Sequence, residues 1–151
     1  MPDTIIIADA SCLIALTNIN ALWILESVYN KVFITETILN EYELPIPNYI
    51  EIKEVRDMNL QRVLSGYLDH GEASAIALGI ENPESILILD DLKGRKEAQK
   101  LKLRFTGTLG VLIKAKKGNH IRCKFIFDAL KESGFRISDK IIALAIKESN
   151  Q

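Results

Sequence analysis

Five acidic residues stand where a carboxylate can do chemistry. Two short apolar runs end in acid: "TIIIADAS" reaches Asp9, and "SILILDD" reaches Asp90 and Asp91. If the two runs are neighbouring strands, they lie about 4.8 Å apart, and their carboxylates share one small region. Like charges that close raise each other's pKa unless a cation joins them. An oxygen-only set, without Cys or His, suits Mg²⁺ or Mn²⁺. Glu41 comes late in "ETILNEY", where the helix dipole does not favour a carboxylate. Glu72 falls in the first turn of the next strong helical pattern. Paired divalent ions activate a water and stabilise the leaving oxygen of a phosphodiester, so several oxygens converging on one cleft would suit a hydrolase.

Each acid also has an ordinary role. Asp9 suits a helix N-cap or a turn, and Glu41 an exposed surface position. "DHGE" reads as a capping box, with Asp69 as the cap and Glu72 three residues on. One of Asp90 and Asp91 suits the cap of the following helix. The joint placement is more informative than any single acid.

A net charge of −1 conceals a sharp asymmetry, because Lys93 to Lys124 holds 11 Lys or Arg and one acid, Glu97. Such a segment marks either a nucleic-acid surface or a set of solvated helix faces. Lys93, Arg95 and Lys96, just after the double aspartate, are the candidates for phosphate contact. Arg95 has a second option, pairing with one of the aspartates.

The elements that must position these groups alternate. "TIIIA", "KVFIT", "SILIL" and "LRFTG" read as core strands, and "YIEIKEV" alternates like an edge strand. Helical patterns lie between them. Ser11 is placed to cap "CLIALTNI", and Thr35 to cap "ETILNEYE". "LPIPN" ends the latter. "LKGRKEAQKLK" is helical despite Gly94. In the tail, Ser138 is placed as a cap, with Ile137 and Ile142 as a hydrophobic staple. Strands alternating with helices predict an α/β fold: a three-layer α/β/α sandwich around a mostly parallel sheet of four to five strands. Ligands of such sheets sit beyond the carboxyl ends of the strands.

The 151 residues, 48% hydrophobic, suit a single domain over 1–151. No apolar run approaches the roughly 20 residues of a membrane span, and the N-terminus lacks the basic region of a signal peptide. The expectation is a cytoplasmic protein with no membrane partner. Cys12 and Cys123 are then reduced core thiols, while His70 and His120 are isolated and no Cys/His cluster has zinc spacing.

The combination of "IIIADASCLIAL", "VFITETILNEY", "LDHGEASAIALGI", "ILILDDLKGRKEA" and "RFTGTLGVLIKAKKGN" resembles the PIN-domain family. The likeness is to a bacterial and archaeal subgroup of nucleic-acid-binding proteins of undefined function, related to the toxins of toxin–antitoxin pairs. It covers nearly the whole chain. It implies a metal-dependent ribonuclease using Mg²⁺ or Mn²⁺, with Asp9, Glu41 and Glu72 as the first three acids and Asp90 or Asp91 as the fourth. Ser11 matches the hydroxyl that supports the first acid, and Thr106 and Thr108 fall near the polar edge of the site. It further implies an RNA substrate, a small antitoxin protein as partner and a homodimer built on helices; the apolar faces of "ALWILESV" and "TLGVLIKA" allow one, though core packing is the commoner use of such residues. A non-catalytic module binding RNA or protein on the same fold is the alternative. A phosphoacceptor domain is disfavoured, because its double acid belongs near the N-terminus.

Overall fold

The computed structural model describes residues 4–118 and 123–135. Five strands form one sheet: β1 (Ile6–Ala8), β2 (Val32–Ile34), β3 (Ile50–Ile52), β4 (Ile86–Ile88) and β5 (Arg104–Thr106), in the order β3-β2-β1-β4-β5. All four pairings are parallel. Eight helices surround it among the described residues: α1 (Ala10–Asn18), α2 (Ile24–Tyr29), α3 (Glu36–Tyr42), α4 (Met58–Leu64), α5 (His70–Glu81), α6 (Leu92–Lys100), α7 (Thr108–Lys117) and α8 (Cys123–Glu132). This is the expected α/β/α sandwich, with its sheet wholly parallel. No described helix is long and apolar enough to cross a membrane.

The central strands are apolar on both sides because helices cover both. Ile7 pairs in register with Leu87, and both are fully buried. Truncating either to Ala would cost about 2–5 kcal/mol, since so dense a core cannot close over the cavity. α5 packs on β1 and β4 and touches α3, α4 and α6, while α7 gathers α1, α2 and α8. Ala73, Ala75 and Ala77 and the flanking Ile76 and Leu78 are all buried, which makes α5 an interior helix with little room for bulk.

Parallel pairing puts β1 beside β4 in the register Ile6–Ile86, Ile7–Leu87, Ala8–Ile88. Asp9 and the Asp90–Asp91 pair therefore leave the sheet at the same edge. Every helix that follows a strand begins at that edge too, so the edge is rich in unpaired helix N–H groups.

Several local expectations change. Asp9, not Ser11, is the N-cap of α1, and its Oδ1 accepts from Ala10 N at 2.8 Å. Thr35 caps α3 as expected, accepting from Ile38 N at 3.1 Å. "DHGE" forms no capping box: Asp69 occupies the N-cap position of α5 without a side-chain cap bond. β5 lies at the edge of the sheet, not in its middle, with Arg104 exposed. Ser138, Ile137 and Ile142 lie outside the described residues.

Candidate metal centre

Six carboxylates converge on one cleft of about 770 Å³ at the carboxyl ends of β1 and β4: Asp9, Glu41, Asp69, Glu72, Asp90 and Asp91. Ser11 lines it as well, and Ile14, Leu92 and Phe135 supply apolar wall.

Four of the six are tied to a helix N-terminus by a backbone N–H. Besides the Asp9 cap of α1, Glu41 Oε1 accepts from Gly71 N of α5 at 2.9 Å. Asp90 Oδ1 accepts from Thr108 N of α7 at 2.7 Å, and its Oδ2 from the Thr108 hydroxyl. Asp91 Oδ1 accepts from Lys93 N of α6 at 3.3 Å. Unpaired N–H groups and the positive end of the dipole favour a carboxylate at each place. Glu41 is thus unfavourable only for its own helix, since its side chain crosses to the start of another.

Glu72 has no such support. It is 4% exposed, and its Oε2 has no hydrogen-bond partner. Asp69, Glu72 and Asp91 bring one oxygen each within 4.8 Å of one another. Burial, then the neighbouring Asp91, pushes Glu72 up to about 8. The same contact holds Asp91 below its usual value, since hydrogen bonding with Glu72 favours its charged form. Asp9 is pushed up to about 7, chiefly by burial; its bond from Ala10 N opposes this, and Glu41, Asp90 and Asp69 add to it by repulsion.

The fit to a hard divalent cation rests on these observations. An orphaned buried carboxylate oxygen, a close triad of oxygens and two acids that keep their protons near neutrality all ask for a positive charge. An ion would replace the protons and leave the oxygens coordinated.

The sequence profile of the PIN domain matches residues 5–151. The chain belongs to the PIN-domain family. No curated protein and no solved structure gives a match. PIN domains are generally nucleases that use divalent metals, and the acidic triad of this one is a cluster that could hold such an ion.

Within this PIN domain all five acids singled out from the sequence meet in the cleft. Both members of the double aspartate line the cleft: Asp91 caps α6 and joins the triad, while Asp90 docks on α7. Asp69 is the acid that sequence reasoning assigned only to capping. Its spacing of three from Glu72 on one helix was the available signal. Thr108 is buried and orients Asp90. Thr106 is not among the lining residues and packs its hydroxyl toward Gly110. Ser11 is exposed at the cleft without a hydrogen bond to Asp9 among the described residues.

The basic residues are less concentrated than expected. None of Lys93, Arg95 and Lys96 lines the cleft. Lys93 is near enough to Asp91 to help lower its pKa. Arg95 makes no ion pair with an aspartate among the described residues; its guanidinium lies 5.3 Å from the Phe105 ring centre and its Nε has no hydrogen-bond partner.

Proposed function

We propose that this PIN domain is a metal-dependent endoribonuclease and the toxin of a toxin–antitoxin pair, acting in the cytoplasm as a single 1–151 unit. The observation that carries the nuclease assignment is the buried, unpartnered Glu72 oxygen among six converging acids. Asp9, Glu72, Asp90 and Asp91 would hold the metal, with Asp69 joining them. Mg²⁺ or Mn²⁺ at this place supplies the charge that activates water and stabilises the leaving oxygen of an RNA phosphodiester. Glu41, fixed by the Gly71 N–H, would orient a water for attack. Thr108 supports Asp90, and Ser11 stands at the cleft beside Asp9 as a polar group open to substrate. Lys93 and Lys96, both exposed, and Arg95, set over the Phe105 ring, take the flanking phosphates, which draw affinity from counterion release.

The toxin assignment rests on the family likeness. It calls for a small antitoxin protein as partner and for a homodimer. Core packing uses most of the α2 and α7 apolar residues, and Trp23, 45% exposed, is the large side chain left over on that side for a partner.

The deciding experiment incubates wild type and an Asp9→Asn/Asp90→Asn variant with a mixed RNA pool and Mn²⁺ or Mg²⁺. Wild type should cleave, the variant should not, and EDTA should stop the reaction. Equal cleavage by both, or cleavage that survives EDTA, overturns the assignment. RNA retained by both proteins and cut by neither would favour a binding module.

A further inference from the structure

Two of the acids dock on glycine, and neither glycine is needed by its backbone. Gly71 lies inside α5 and has no positive φ. Gly107 is the N-cap of α7 with φ −124° and ψ −179°, an extended conformation open to any residue. Gly134 differs: its φ is +97° and nothing lies within 4 Å of a Cβ built there. At Gly71 a Cβ would stand 2.8 Å from Glu41 Cδ and 2.9 Å from Glu41 Oε1. At Gly107 it would stand 2.8 Å from Asp90 Oδ1. Real carbon atoms do not approach so closely, so the carboxylate end of the side chain would have to shift. Glycine in a helix is also less favourable than alanine, so close approach is what remains to account for Gly71. A looser version occurs at Gly94, where a Cβ would lie 3.3 Å from Glu72 Oε2.

We propose that Gly71 and Gly107 are positioning residues. By omitting a Cβ they let Glu41 and Asp90 close on the first turns of α5 and α7, and so set the half of the acid cluster that faces Asp9. The consequence for metal binding rests on the nuclease assignment; the docking itself does not.

The test is a double-mutant cycle on Gly71→Ala and Glu41→Gln, with three measurements: Mn²⁺ affinity by calorimetry, the residue-71 amide proton by NMR, and Tm in EDTA. Gly71→Ala should weaken Mn²⁺ binding about 10–100-fold, the usual effect of disturbing a group that stands behind the ligands, since Glu41 lies beside Asp9 in the cleft. Its Tm should equal or exceed that of wild type. The double variant should bind no more weakly than Glu41→Gln alone. The residue-71 amide should move upfield in Gly71→Ala and in Glu41→Ala, which removes the acceptor altogether. Wild-type affinity in Gly71→Ala, a further loss in the double variant, or a Tm that falls with the affinity would each overturn the proposal. If wild type itself binds no Mn²⁺, the metal assignment fails, and the amide shift still decides the docking, read in Glu41→Ala because a glutamine oxygen can still accept the bond: no shift there overturns it, and an upfield shift upholds it. Gly107→Ala with Asp90→Asn forms the parallel cycle.

Discussion

Raising the pH of the metal-free protein from about 5 to about 8.5 should destabilise it. Asp9 and Glu72 have folded pKa values of about 7 and about 8, above their ordinary 3.8 and 4.5. Between those limits the folded chain holds protons that the unfolded chain has released. Stability then falls as pH rises, because the unfolded state binds fewer protons. Below the ordinary values both states are protonated and nothing is lost; above about 8 the full cost is present. One pKa unit is about 1.4 kcal/mol, so a shift of some three units sets an upper limit of about 4 kcal/mol for each group. The two acids share an open cleft whose water and side chains can relax, so about 2–4 kcal/mol for the pair is the working figure. For a chain of this length that is a fall in Tm of roughly 5–15 °C. The assay is thermal denaturation in EDTA at half-unit pH steps. Glu72→Gln should remove much of the slope, and its apo form should be more stable than wild type at pH 8. Saturating Mn²⁺ should reverse the trend, since the ion takes the deprotonated site. A flat or rising Tm in EDTA over this range, or an unchanged slope in Glu72→Gln, would refute the argument that burial and crowding keep these acids protonated.

Other consequences are simpler to measure. Mn²⁺ at 100 times its Kd should stabilise the folded state by about 2.7 kcal/mol at pH 8, and Asp9→Asn should abolish most of that gain in the same melt. Thr108→Val deletes a hydroxyl bond to Asp90; it should cost about 1–2 kcal/mol of stability and weaken Mn²⁺ about tenfold or more in a calorimetric titration, with Thr108→Ser restoring both. Lys93→Ala and Arg95→Ala should each flatten the salt dependence of single-stranded RNA binding by about 0.7 in log–log slope, measured with the non-cleaving Asp9→Asn/Asp90→Asn background.

Much of the site was legible because strand ends are simple to find. Unbroken apolar runs fix the ends of β1 and β4, parallel pairing makes them neighbours, and Asp9, Asp90 and Asp91 follow. What was hidden lies in the helix starts. A carboxylate that caps its own helix and one that faces a metal look alike in sequence, since both sit just before or just inside the first turn. Hence Asp69 passed for a cap and Ser11 displaced Asp9 in that role. Arg95 was equally ambiguous: its stacking partner, Phe105, comes from a neighbouring strand that no local pattern names. Gly94 looked like a defect in a basic helix, and only the fold places Glu72 against it.

The double aspartate at the end of β4 can be understood from the same edge. Successive side chains of an extended segment point apart, so Asp90 and Asp91 do not confront each other. Asp90 reaches the N-terminus of α7 and Asp91 that of α6. An all-parallel sheet makes this possible, because each strand hands the chain to a helix that starts at the shared edge. Four positive helix ends offset four of the acids before any metal arrives. Glu72 receives no backbone N–H, lies buried, and faces Asp91 across the triad. The helix ends therefore make the cluster tolerable in the folded chain, while Glu72 concentrates its unmet demand at one point. An ion bound there would satisfy an oxygen that the fold leaves bare, and substituting Glu72 should cost more metal affinity than substituting any acid already paired to a helix.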